Sequence, residues 1–238
     1  MTVAILDHNC ATDYFGPSFR RRQVGPEDEL VDWFLDNLPI RVPRGSHATV
    51  FREPRLQSGF PDVVITIWNV KTTESWSPER THLTDRDMRV MHHIGQRGAC
   101  SPNELQSLFS DRIAPCIERL LAAEMVRPRK DAWAARSLAK AFAVRRIIAV
   151  EAKMTDWRVA LEQAQLNTWF ASDSYVLLPH VRRRDRVVAE ASAAGIGIWS
   201  REDGEVRPAT REPDPMPRSY ASWLFNEWAW RAHAGGHL

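Results

Sequence analysis

Three residues of this chain have types and spacing that could do chemistry together. They are Asp62 in the stretch GFPDVVI (59–65), and Glu151 and Lys153 in IIAVEAKM (147–154). Side chains alternate along a strand, so Glu151 and Lys153 would share one face while Ala152 points away. With Asp62 on a neighbouring strand, two carboxylates, the carbonyl of Ala152 and an amine would converge. Oxygen donors of this kind suit Mg2+ or Mn2+, held by one or two carboxylates with water completing the shell. A cation there would lower the pKa of a bound water and stabilise charge on a phosphodiester. Lys153 would orient that water and offset the developing charge. An E-x-K triplet alone is common, expected by chance in about half of chains this long. Here, however, both stretches place charge where strongly apolar runs begin or end, and charge in such a place needs a reason.

The elements that must position these groups can be read from periodicity. PEDELVDWFLDNLP predicts a helix, with Pro26 in its first turn, acidic residues after it, and Leu30, Trp33, Phe34 and Leu38 at helical spacing before Pro39. SHATVFREP reads as a strand or strand-turn. Val63, Val64, Ile65, Ile67 and Trp68 form a β-rich run entered through Gly59 and Pro61. The unbroken apolar run Ile147 to Val150 predicts a central strand covered on both faces. A helix over TDWRVALEQAQLNTWFA, capped by Thr155 or Asp156, then a strand at YVLLP, a helix near DRVVAEASAAG and a strand at IGIWS complete an alternation that calls for crossover connections.

Between the two motif stretches the texture changes. Residues 81–140 read as three short helices with no convincing strand between them, followed by a basic turn, RPRKDAW. This pattern resembles a winged helix-turn-helix, in which the third helix enters a groove and the turn forms the wing. After residue 206 a proline-rich stretch reads as an extended connector. It leads into a helix in which Trp223, Trp228 and Trp230 dock back onto the core.

The remaining composition narrows the classes. Across 238 residues the formal charge is only +2, so the overall balance does not demand a polyanionic partner. Local clusters at Arg20, Arg21 and Arg22, at Arg129 and Lys130, and at Arg182, Arg183 and Arg184 could nonetheless track phosphates. Cys10, Cys100 and Cys116 show no CxxC spacing, which suggests neither a disulfide framework nor a thiolate zinc site. With no signal-like start and no apolar run of membrane-spanning length, a cytoplasmic protein without a membrane partner is expected. His92 and His93 are adjacent on a predicted helix, point in different directions, and read as helix surface. Gly195-Ile196-Gly197 lies at a strand rather than a helix, outside a dinucleotide-binding context.

Phe60-Pro61-Asp62 with Glu151-Ala152-Lys153, an acidic helix before them and a glutamine-bearing helix after them, resembles the PD-(D/E)XK, or restriction-endonuclease-like, superfamily. The resemblance implies an α/β fold: a mixed four-stranded central sheet flanked by helices, formed by residues 15–80 and 141–205, with the winged-helix-like module inserted between the motif strands. The long separation of Asp62 from Glu151 is accommodated if the ends of that insertion meet in space. It also implies a Mg2+- or Mn2+-dependent deoxyribonuclease of restriction, repair or defence type, with DNA as partner and homodimers or larger complexes as common assemblies. By the same resemblance Glu27, or failing it Glu29, joins Asp62, Glu151 and Ala152 at the metal. Gln163, or its competitor Gln165, serves the site from the following helix, although position 167 is Asn where many members have Tyr. Two other readings use the same features: a DNA-binding subunit whose nuclease fold is inactive or works only in a complex, and a transcriptional regulator working through the inserted module.

Overall fold

The structure, a computed structural model, describes residues 3–10, 15–57, 59–109, 113–182, 184–209, 216–217 and 219–234. The chain is α/β, built on a mixed seven-stranded sheet. Its strands are β1 (Val3–Leu6), β2 (Ser46–Arg52), β3 (Val63–Asn69), β7 (Val144–Ala152), β8 (Asp173–Leu178), β9 (Gly197–Ser200) and β10 (Gly204–Arg207), side by side in that order. β2–β3, β3–β7 and β9–β10 pair antiparallel, whereas β1–β2, β7–β8 and β8–β9 pair parallel.

Seven strands replace the four that the family resemblance implies. β1 is a four-residue edge strand whose brief VAIL run carries no periodic signal. β10 turns back the first residues of the stretch expected to be an extended connector. Of the rest of that stretch only residues 208–209 and 216–217 are described.

β3 and β7 hold the centre of the sheet. Val63, Val64, Ile65, Ile147, Ile148, Ala149 and Val150 have no exposed surface, as unbroken apolar runs require when both faces are covered. On one face lies α1 (Pro26–Asn37), where Leu30, Val31 and Phe34 pack against Val50, Ile65, Ile148 and Val150. Under the other face lie α7 (Trp157–Leu166) and α8 (Arg184–Ala194), with Ala160, Leu161, Ala164, Val187 and Ala191 around Val176, Leu178 and Ile198. Asp156 caps α7 by accepting the Val159 N–H at 3.3 Å. Gly197, which opens β9, is held to glycine by close approach: a Cβ there would sit 2.2 Å from the Tyr175 ring.

Between β3 and β7 come α2 (Val70–Thr73), a 3-10 turn (Pro78–His82), α3 (Asp85–Arg97), β4 (Ala99–Cys100), α4 (Pro102–Phe109), α5 (Ile113–Ala122), β5 (Val126–Arg129), β6 (Ala132–Ala135) and α6 (Leu138–Ala141). β4, β6 and β5 form a small antiparallel sheet in that order. β4 is a correction to the expectation of helices alone; at two residues it is too short to show alternation. Thr84 and Asp87 close α3 with a reciprocal capping box. The ends of the insertion do meet, since the Asn69 N–H donates to the Ala143 carbonyl at 3.0 Å.

α9 (Tyr220–Ala234) joins the two parts. Every residue from Ala221 to Trp230 is buried, including Trp223, Trp228 and Trp230, as expected of a helix surrounded on all sides. One continuous core runs from Phe51, Val64 and Trp68 through Trp223, Phe225 and Trp228 to Met88, Met91 and Leu120 of the insertion. Asn226 also fixes the start of β7, its Oδ1 accepting the Ala143 and Val144 N–H groups at 2.8 and 3.2 Å. No helix among the described residues is long and apolar enough to cross a membrane.

Candidate active site

The register of the central strands brings the acidic residues together. Arg52 pairs with Val63 and Val63 with Val150, so one step further along the sheet Glu53, Asp62 and Glu151 stand side by side across β2, β3 and β7. The Glu53 N–H donates to the Asp62 carbonyl at 2.9 Å, continuing the ladder. Glu53 is paired with Arg20, which leaves Asp62 and Glu151 as neighbouring carboxyls at the ends of two central strands, an arrangement that disfavours ionising both.

Asp62 reaches across to β7, where its Oδ2 accepts the Ala152 N–H at 2.7 Å. Glu151 is buried, and its Oε1 accepts from Asn167 Nδ2 at 2.6 Å. Lys153 lies just past the end of β7, where its Nζ donates to the Ala152 carbonyl at 3.1 Å and to Glu27 Oε2 at 3.0 Å. Asp62, Glu151, Ala152, Lys153 and Glu27 are thus gathered at one end of the sheet. Glu27 is the half-exposed member, while its neighbour Asp28 is the one turned inward. Glu29 is exposed.

The electrostatics agree with the geometry. Burial raises the Asp62 carboxyl above its ordinary value, with the charges of Glu53 and Glu27 adding to the effect and the Ala152 N–H and Lys153 opposing it. Burial, then the charge of Asp62, pushes Glu151 from 4.5 up to about 8, against the Asn167 hydrogen bond and the charges of Lys153 and Arg20. Two neighbouring carboxyls that resist ionising together are what a divalent cation would relieve, so the donor set fits Mg2+ or Mn2+. Between about pH 4.5 and 8 the metal-free fold favours a proton on Glu151 that the unfolded chain releases. Its contribution to stability is therefore complete below about pH 4.5 and is lost as pH rises to about 8. Thermal melts in chelator should show a fall across that window that Glu151→Gln flattens; parallel wild-type and variant curves would refute the assignment.

A small cleft of about 80 Å³ opens beside Asp62, lined among others by Arg20, Gln23, Glu27 and Glu53. A larger one of about 270 Å³ lies past the ends of β7 and β8, with Thr155, Trp157, His180 and Arg182 on its walls.

Two site residues escape sequence reasoning. Glu53 follows the apolar end of β2 much as Asp62 precedes that of β3, and that shared position is the available signal. Asn167 occupies the position where the family resemblance favours tyrosine, one turn after Gln163, yet it is the residue that touches Glu151. Gln163 is half-buried, and its Oε1 is enclosed without a hydrogen-bond partner among the described residues. Gln165 is exposed.

The arginine clusters divide. Arg22 is not a free phosphate ligand: with Arg52 it is bound into an internal network by Asp28 and Asp32, its Nε 2.8 Å from Asp28 Oδ1. Arg20 pairs with Glu53 and Arg184 with Asp203, the latter at 3.6 Å. Arg21, Arg129, Lys130 and Arg182 are exposed, and Arg183 lies outside the described residues. α5, expected to enter a groove, presents Ala114, Pro115, Glu118 and Ala122 to solvent, while Arg119 is committed to Asp87 at 2.8 Å. Nor is His93 plain helix surface, being half-buried against Phe109.

Comparison with models of known protein families, with curated proteins and with solved structures returns no match.

Proposed function

We propose that the chain is a metal-dependent nuclease that hydrolyses DNA phosphodiester bonds, with an active site of PD-(D/E)XK type. The observation that carries this reading is the meeting of Asp62 and Glu151 on adjacent strands, with Lys153 beside the Ala152 carbonyl. Asp62, Glu151 and the Ala152 carbonyl would hold Mg2+ or Mn2+, with Glu27 engaged by Lys153 and not placed among the donors. Such an ion would supply a water of lowered pKa and neutralise charge on the phosphate. Lys153 would orient the attacking water and offset the negative charge that develops on the phosphate. Asn167 holds the Glu151 carboxylate in place.

The seven-stranded sheet is compatible with a restriction-endonuclease-like core enlarged at both edges. The order of α3, β4, α4, α5, β5 and β6, three helices and a terminal hairpin, is compatible with a winged helix and supports the reading that the insertion holds DNA. Since α5 offers no exposed cation among its described residues, the phosphate contacts fall to the β5–β6 hairpin, where Arg127, Arg129 and Lys130 are exposed.

Incubating the purified chain with linear, nicked and single-stranded DNA, with Mg2+, with Mn2+ or with chelator, tests the reading. Cleavage that needs the metal is expected. Tight DNA binding without any cleavage would instead favour an inactive DNA-binding subunit.

Arg129→Glu with Lys130→Glu should weaken DNA binding across all sequences. It should also reduce the slope of log affinity against log salt by about one for each phosphate no longer neutralised. Arg22→Ala, by contrast, should lower stability and leave that slope unchanged; a slope altered by Arg22→Ala would return Arg22 to the DNA interface.

A further inference from the structure

The inserted module contains a second set of ligating side chains, remote in sequence from the motif strands and different in chemistry. His93 comes from the last turns of α3, Cys100 from β4 and Glu104 from the first turn of α4. One donor atom from each lies within 4.8 Å of the other two. His93 Nε2 is 3.8 Å from Glu104 Oε1, and it is enclosed with no hydrogen-bond partner among the described residues. Cys100 is buried and free of any disulfide. The ring of Phe109 stands edge-on to His93 at 5.6 Å and closes one side.

We propose that His93, Cys100 and Glu104 bind a borderline divalent transition metal, Zn2+ by preference, that ties α3 to α4 across β4. A tetrahedral ion with bonds of about 2.0–2.3 Å holds its donors about 3.5 Å apart, so only a small closing of the triad is needed. Imidazole and thiolate select zinc or cobalt over magnesium, which keeps this site chemically separate from the carboxylate site at the sheet edge. The thiol binds as thiolate and releases its proton to solvent. With three protein ligands among the described residues, water would fill the fourth position.

Arg97, whose Nη2 lies 3.0 Å from Glu104 Oε1, would give up that hydrogen bond to the ion. Its side chain is 61% exposed, so the guanidinium moves into water at little cost. The sequence hides the site because its ligands are of three types and come from three elements, with no CxxC or HxxxH spacing. The orphaned nitrogen is the second sign: a buried imidazole nitrogen without a partner is costly unless something binds it.

The test uses the full chain, stripped with chelator and titrated with Co2+. A sulfur-to-cobalt charge-transfer band in the near ultraviolet and tetrahedral visible bands are expected, and Zn2+ should displace both. Cys100→Ser should abolish the charge-transfer band, and His93→Gln should weaken Zn2+ binding by about tenfold or more. Asp62→Asn should leave both unchanged, which separates this site from the proposed nuclease centre. Absence of the band in the wild-type chain, or its survival in Cys100→Ser, would overturn the assignment. Should Cys100→Ser not fold, His93→Gln decides: zinc should raise the melting temperature of the wild-type chain and not of this variant, and an equal rise in both would overturn the proposal.

Discussion

Asp62→Asn is expected to lower metal-dependent DNA cleavage by on the order of a thousandfold while leaving DNA binding within about twofold of wild type. The substitution keeps the size and hydrogen-bonding capacity of the side chain, so the Ala152 N–H, 2.7 Å away, still finds an oxygen acceptor. What it removes is one of the two carboxyl groups that would hold the ion across β3 and β7. Lys153→Met should produce a loss of similar size for the opposite reason, removing the cation held between Glu27 and the Ala152 carbonyl. Glu151→Gln should do the same and, in addition, stabilise the metal-free fold near neutral pH, because it removes a carboxyl that burial and Asp62 keep from ionising. Steady-state cleavage of a labelled duplex, alongside binding measured in chelator, separates these effects. Undiminished turnover in Asp62→Asn or Lys153→Met would sink the nuclease assignment, and parallel loss of binding would show that the substitutions damage the fold.

The second large effect is structural. Arg80 and Glu227 form a pair in the middle of the molecule, with side chains 1% and 0% exposed. Arg80 Nε donates to Glu227 Oε2 at 3.1 Å and its Nη2 to the Ala141 carbonyl at 3.0 Å, while the guanidinium lies over Trp76, 3.4 Å from the ring centroid. Asn226 Nδ2 donates to the same carboxylate at 3.0 Å. Glu227→Ala leaves a buried cation without its counter-charge and should cost about 3–5 kcal/mol. Replacing both partners by apolar residues of similar size, as in Arg80→Met with Glu227→Leu, should recover most of that loss, because neither charge then has to be desolvated. Urea unfolding of the single and double variants closes the cycle. A loss below about 1 kcal/mol for Glu227→Ala would mean that water reaches Arg80 and that the pair contributes little.

How far the site can be read from the sequence depends on the range of the interactions involved. Glu151 and Lys153 are legible because strand alternation is local and their apolar run is unbroken. Asp62 is legible because Gly59 and Pro61 mark the entry to β3. Glu53 is not, because its place beside Asp62 follows from β2–β3 register and not from anything near it in sequence. Asn167 is visible only as a departure from an expected tyrosine. Its function follows from the position of α7 over β7, which brings the asparagine amide to a carboxylate sixteen residues away. The arginine clusters show the same limit, since composition cannot tell that Arg22 belongs to Asp28 and Asp32 while Arg129 faces solvent. In the fold, long elements with a clear period are readable. The short strands β1, β4 and β10 exist because a neighbour pairs with them and leave little trace in their own residues.

The burial of α9 on all sides governs the order in which the molecule can be completed. This helix emerges from synthesis after every strand of the sheet and the whole inserted module, yet it supplies the centre of their shared core and fixes the first N–H groups of β7 through Asn226. Until it arrives, the module and the sheet lack the surface that joins them, and hydrogen bonds such as that from Trp228 Nε1 to the Phe15 carbonyl span most of the chain. Such long-range closure slows folding and leaves apolar surface uncovered in the nascent chain. The start of the strand that carries Glu151 gains its Asn226 partner only once α9 has been synthesised, so the candidate site rests on a strand whose support comes from the far end of the described chain.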